Sequence, residues 1–183
     1  GGGRAAESTR AEPGTPARGG PQLGLTASTK SLRPRRTALS DREVLSHPAG
    51  NPDADFIELQ NVGWGGLALG DLRLAGGVAY DFAEAGIGQL PAGERLIIAK
   101  NPELIRAMPG GRQATVLGPW SGKLSNNGET IRLETDWGET VFSVAYKGSW
   151  HGQSDGLGLS LALRDVHSAA ALWSSKAGWM PGR

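Results

Sequence analysis

Histidine and serine are the residues through which a hydrolase would show itself, because a nucleophile needs a base and an orienting group. The chain has three histidines, His47, His151 and His167, and none stands in an HExxH or HxH pair. Ser121, in GPWSG (118–122), lies among glycines but at the wrong spacing for a nucleophile elbow, and no strand-then-helix pattern surrounds it. His151 and Asp155 are the least implausible residues for a hydrolase. The chain has no cysteine. Thiolate nucleophiles, disulfides and cysteine-based zinc or iron–sulfur sites are therefore excluded.

Two other groups of residues have chemical potential. NPDADFIEL (51–59) presents Asp53, Asp55 and Glu58 in a loop entering a strand. Oxygen ligands at alternate positions suit calcium, which makes Asp53 and Asp55 the candidate metal ligands. The EF-hand loop pattern is missing, and alternation turns Glu58 away from such a site. A solvated acidic turn is the competing reading. The six tryptophans are Trp64, Trp120, Trp137, Trp150, Trp173 and Trp179, and five sit near glycine, serine or proline in predicted loops. Aromatic loop residues stack on sugars, bases or lipid headgroups, or cap the ends of a core. Packing is the favoured role for the group. Trp137, in the tight turn Asp136-Trp137-Gly138, is the residue expected to be exposed and to stack on a ligand.

The elements that must position these residues belong to a chain of two characters. Residues 1–36 carry seven Lys/Arg against two Asp/Glu, a net +5, and residues 37–183 carry twelve against sixteen, a net −4. Residues 1–37 are rich in Gly, Pro and Arg and nearly free of large apolar groups. Such a segment cannot bury enough surface to offset its ordering entropy, so it is expected to be a disordered basic linker. Its arginines are the one place where nucleic acid or another polyanion would bind, with strong salt dependence. No apolar run approaches the length of a transmembrane helix, about 18 residues. The chain begins with neither an initiator Met nor a signal-type segment and is read as one module of a longer protein.

From residue 38 onward the pattern is of short strands. ADFIELQN (54–61) alternates Ile57 and Leu59 with Glu58 and Gln60. LALGDLRLAGG (67–77) reads as two short strands or one bulged one. VAYDF (78–82), LPAGERLIIAK (90–100), TVLGPWSGKL (115–124), ETIRLE (129–134), TVFSVAYK (140–147) and GLSLALRD (158–165) follow. NPELIRAMPG (101–110) is the single predicted helix, with Asn101 as N-cap, Pro102 at the first position and Gly110-Gly111 as its stop. Asn126-Asn127-Gly128 in LSNNGETIRL suits backbone of positive φ and feeds ETIRLE, which turns at Asp136-Trp137-Gly138 to pair with TVFSVAYK. Eight or so strands with turns every eight to twelve residues predict an antiparallel sandwich or barrel. The expected core is Ile57, Leu59, Leu67, Leu74, Leu96, Ile98, Ile131, Leu133, Val144 and Leu161.

In order, DFIELQN, LPAGERLIIAKNPELIRAMPG, LGPWSGKLSNNGETIRL, a strand ending in Tyr146, and ALWSSKAGWMPG resemble the bacterial form of the lamin tail domain over residues 41–183. SGKLSNNGETIRL is the most specific block. The resemblance implies an all-β, immunoglobulin-like antiparallel β-sandwich over residues 38–183 with one short helix. It implies no enzyme, no catalytic residue and no cofactor apart from the calcium weighed above. The implied function is a recognition or tethering module of a larger secreted or surface-attached bacterial protein, in an extracellular, cell-surface or periplasmic setting. Its partner would be a protein, a glycan or a membrane surface. A hydrolase, or a nucleic-acid-associated domain with its affinity in residues 1–36, is the alternative. Where the family opens on an apolar strand this chain has ALSDREVLSHP, too polar for a good first strand. A frayed strand near Glu43–Ser46 would leave its neighbour unpaired and open to an edge-strand dimer.

Overall fold

Alternation of apolar and polar residues produces most of the strands, and glycine turns separate them. The computed structural model describes residues 37–45, 51–109, 114–151 and 160–182, all within one compact unit. Residues 1–36 of the expected basic linker, His47, Asp155 and the Gly110-Gly111 helix stop lie outside the described residues, while Thr37, expected in the linker, begins the first strand. In chain order the strands are β1 (Thr37–Leu45), β2 (Phe56–Asn61), β3 (Leu67–Ala68), β4 (Leu72–Gly76), β5 (Val78–Asp81), β6 (Gln89–Leu90) and β7 (Arg95–Ala99). Helix α1 (Pro102–Ala107) precedes β8 (Thr115–Leu117), β9 (Ser121–Gly122), β10 (Glu129–Thr135), β11 (Thr140–Tyr146) and β12 (Leu161–Leu163). Helix α2 (Ala170–Trp173) and β13 (Trp179–Pro181) close the described chain.

The result is a β-rich domain with several antiparallel sheets and two short helices. A six-stranded sheet has the order β13-β12-β1-β2-β7-β8, a five-stranded sheet the order β11-β10-β4-β5-β9, and β3 pairs with β6 alone. All pairings are antiparallel except β7 with β8. Side chains from both large sheets enter one hydrophobic cluster: Ile57, Leu59, Leu96 and Ile98 from the first meet Leu74, Ile131, Leu133 and Val144 from the second. With Leu67 and Leu161, these are the ten residues predicted as core, and all are buried. Full burial of each such aliphatic side chain stabilises by roughly 1.5–3 kcal/mol.

The polar first strand, whose formation the sequence left open, does form. β1 runs for nine residues and lies between β12 and β2, not at an edge. Its register against β2 shifts between Leu39 and Val44, where five steps of β1 face two of β2 (Leu39↔Leu59, Val44↔Ile57). The polar run Ser40-Asp41-Arg42-Glu43 falls inside that irregularity, so it does not have to keep the two-residue alternation of a regular strand. β2 consequently has partners on both sides, and an edge-strand dimer has no open β2 edge on which to form.

Helix α1 starts as its sequence predicts. Asn101 Oδ1 accepts from the Leu104 N–H at 3.4 Å, and Pro102 occupies the first turn. Its Ile105 packs with Phe56, Ala99 and Val116 in a second cluster. This cluster takes the outward-pointing side of β2, which explains why Glu58, turned away from the main core, is nonetheless buried. Its carboxylate meets Arg95 Nη1 at 3.4 Å. The second helix and β13 were absent from the sequence reading, since four helical residues carry no readable period.

Candidate functional site

Strand register assigns the loops to two ends of the domain. Tyr146, at the end of β11, feels the charge of Asp55, which precedes β2. The start of β2 and the end of β11 therefore lie together. The far end of β2, at Asn61, then lies with the β10–β11 turn. Two of the connections between the large sheets run over that second end: β2 through β3 to β4, and β5 through β6 to β7. The β3–β6 pair holds the two connections side by side.

Asn61 braces this end from beneath. Its Nδ2 donates to the Gly65 carbonyl at 2.9 Å and the Leu90 carbonyl at 2.8 Å, while its Oδ1 accepts from the Gly63 N–H at 2.9 Å. Its main chain closes on the neighbouring turn, accepting from Gly93 N–H at 2.7 Å and donating to the Glu94 carbonyl at 2.9 Å. The loop so tied carries Trp64 at its crest, with the whole side chain in solvent. The β10–β11 turn is equally well tied. Gly138, at φ +87°, donates to the Thr135 carbonyl at 2.9 Å, and Glu139 N–H donates to Thr135 Oγ1 at 3.0 Å. Asp136 N–H donates to the Asp71 carbonyl at 3.0 Å, which fixes the turn to the start of β4. Trp137 projects from it at 65% exposure, its indole N–H 3.4 Å from Glu139 Oε2.

Trp137 is thus exposed as its turn predicts. Trp64 was not singled out in the sequence, although VGWGG holds a tryptophan among glycines with little apolar company. Trp120, Trp173 and Trp179 are buried, and Trp150 packs against the same core. Trp179 Nε1 donates to the Trp173 carbonyl at 2.7 Å, and Trp173 meets the Phe142 ring edge-on at 5.8 Å. Packing is therefore the role of four tryptophans and exposure that of two.

The two aspartates weighed for calcium have different surroundings. Asp53 is exposed, with Lys100 Nζ at 3.1 Å from its carboxylate. Asp55 is buried and lies near the Tyr146 phenol. The loop amide is satisfied by Asn51, whose Oδ1 accepts from Asp53 N–H at 3.1 Å. Among the described residues, no three His, Asp or Glu side chains gather as a metal-ligand set. Ser121 Oγ donates to the Ala79 carbonyl at 3.4 Å. His167 sits on an exposed turn where its N–H donates to Asp165 Oδ1 at 2.8 Å.

The opposite end holds the strongest perturbations of acidity. Burial first, then the Glu129 and Asp55 charges, pushes the Tyr146 phenol well above its usual range, and its hydroxyl donates to the Ser125 carbonyl at 2.9 Å. Burial also holds the Glu129 carboxyl above its ordinary value, although its Oε2 accepts from Ser125 N–H at 2.9 Å. These groups are packed into turns and cross-strand contacts. No family model matches this chain, and no curated protein matches it in sequence.

Proposed function

We propose that this chain is a non-catalytic recognition or tethering module, built as an immunoglobulin-like β-sandwich of the lamin-tail type, within a larger secreted or surface-attached bacterial protein. The sandwich reading is supported by two large sheets whose inward side chains share one core. The lamin-tail reading is supported by its sequence blocks falling in order on whole elements: DFIELQN covers β2, LPAGERLIIAKNPELIRAMPG covers β7 and α1, and SGKLSNNGETIRL covers β9, its turn and most of β10.

The observation that carries recognition is the braced display of Trp64 and Trp137 at one end. A tryptophan held in water by a hydrogen-bonded loop leaves apolar surface exposed, and its burial against a partner stabilises the complex. Pre-ordered loops lose less entropy in doing so. The test is a binding screen of the full chain against glycan arrays, lipid vesicles and immobilised proteins, repeated with Trp137→Ala and with Trp64→Ala. Loss of a signal in either variant, with thermal unfolding unchanged, is the expected result. Signals indifferent to Trp137 and Trp64 alike would overturn the proposal.

A further inference from the structure

The loops that carry Trp64 and Trp137 have a near neighbour in the chain itself. β1 starts at Thr37, which stands opposite Asn61 across the β1–β2 ladder. The chain therefore reaches this end of the domain directly after Arg33-Pro34-Arg35-Arg36. These four residues lie outside the described ones, but their peptide bonds to Thr37 limit how far from it they can be. Four residues span at most about 14 Å. Trp64 follows Asn61 by three positions, and Trp137 tops the hairpin of the other large sheet, which in a stacked pair lies about 10 Å away. Three guanidinium groups are thus delivered within reach of two exposed indoles.

Resting on the recognition reading, we propose that residues 33–36 fold back on this end, stack on Trp64 and Trp137, and compete there with the module's partner. A guanidinium stacks on an indole face and is drawn to it electrostatically. The Trp137 N–H is already turned to Glu139 Oε2 at 3.4 Å, which leaves the faces of the ring for stacking. Asp136 and Glu139 flank Trp137, and Glu94 lies in the turn closed by Asn61, so carboxylates stand ready to accept from the same guanidinium. The nearest described arginines have other commitments: Arg73 with Glu134 at 3.3 Å, Arg95 with Glu58 at 3.4 Å, and Arg164 Nε with the Trp179 carbonyl at 2.9 Å. Exposed contacts of this kind are individually weak. Tethering compensates, because a short linker holds its segment at an effective concentration in the millimolar range, so that a contact of millimolar strength is made about half of the time. A partner that needs the same indoles then binds about twofold more weakly than it would to a free end.

The test uses the full chain labelled with 5-fluorotryptophan, whose six fluorine signals report the six tryptophans separately. Trp64→Phe and Trp137→Phe assign the two that matter. In the Arg33→Gln/Arg35→Gln/Arg36→Gln variant these two signals are expected to move and the other four to stay. An Arg-Pro-Arg-Arg peptide added at millimolar concentration is expected to move them back, and a Gly-Ser peptide to do nothing. Coincident spectra of wild type and variant would overturn the inference. Movement of all six signals would overturn it as well, as a loosening of the fold, and so would a shift that the peptide does not reverse, as a change of local field alone. The binding screen above, repeated with the triple variant, separates this inference from the recognition reading. Binding that depends on the tryptophans and is about twofold tighter in the variant supports both. Such binding at equal strength in the two proteins overturns the competition and keeps recognition. Reversible fluorine shifts without tryptophan-dependent binding in either protein would remove recognition and leave the docked segment standing.

Discussion

The two ends of this domain use the same residue types to opposite effect. At the end that holds Tyr146, aromatic and acidic groups are folded inward. Trp120 is buried, Tyr146 is bonded to the Ser125 carbonyl, and Glu129 lies over Gly77 and Ser125. At the other end, Trp64 and Trp137 stand in water above loops whose hydrogen bonds are internally satisfied. The contrast shows that rigidity and closure are separable. Backbone bonds and one buried asparagine are enough to stiffen the open end, so its large side chains are free of structural duty.

If that division is correct, substitutions at the closed end damage stability and those at the open end do not. The largest effect is expected from Gly148→Ala. A Cβ there would lie 1.6 Å from the Asn126 carbonyl oxygen, a backbone atom that cannot swing aside. A loss of about 3 kcal/mol in chemical denaturation is expected, and a loss under half of that would mean the turns at this end are looser than described. Tyr146→Phe removes a buried hydroxyl and leaves the Ser125 carbonyl without that donor, at a cost of about 1 kcal/mol; wild-type stability in this variant would speak against the closed end.

The carboxylates sharpen the comparison through pH. Burial raises the Glu129 pKa, so its favourable contribution is complete below the ordinary glutamate value of 4.5 and is lost as pH rises through the raised value. Glu129→Gln keeps an acceptor for Ser125 and cannot ionise. Its stability relative to wild type should therefore improve with rising pH, and parallel stability curves would refute the assignment. Glu134 has the opposite sign. The hydrogen bond from Arg132 holds its carboxyl below the usual range, so its contribution is present above 4.5 and fades as pH falls. Glu134→Gln should be the less stable protein at neutral pH and should converge with wild type in acid. The smallest effect is expected for Trp64→Ala and Trp137→Ala together, within about 0.5 kcal/mol of wild type. A cooperative loss of several kcal/mol would place these rings in the structure's support and not on its binding surface.

Much of the fold was legible because burial has a short period in strands. Ile57 and Leu59, or Ile131 and Leu133, announce their inward face within four residues, and the turn glycines Gly128 and Gly138 mark where the chain reverses. β1 was not legible, because its polar residues fall in an irregularity that only its neighbours on both sides create. Glu58 shows the same limit: alternation turns it away from the core, but α1 and Arg95 close over that face. At the candidate site, Trp137 was readable from its turn. Trp64 was overlooked because a glycine-rich loop has no period, and its display depends on Asn61 reaching carbonyls four and twenty-nine residues away.

Sequence alone determined the two-faced ribbons, the turn positions, the identity of the core and the excess of acid over base after residue 36, all of which depend on neighbours within a few residues. Which tryptophans stay in water, which strand occupies the middle of a sheet and which carboxylates meet an arginine were decided by tertiary structure. Those outcomes require segments tens of residues apart to arrive at the same place, and no local pattern encodes that meeting.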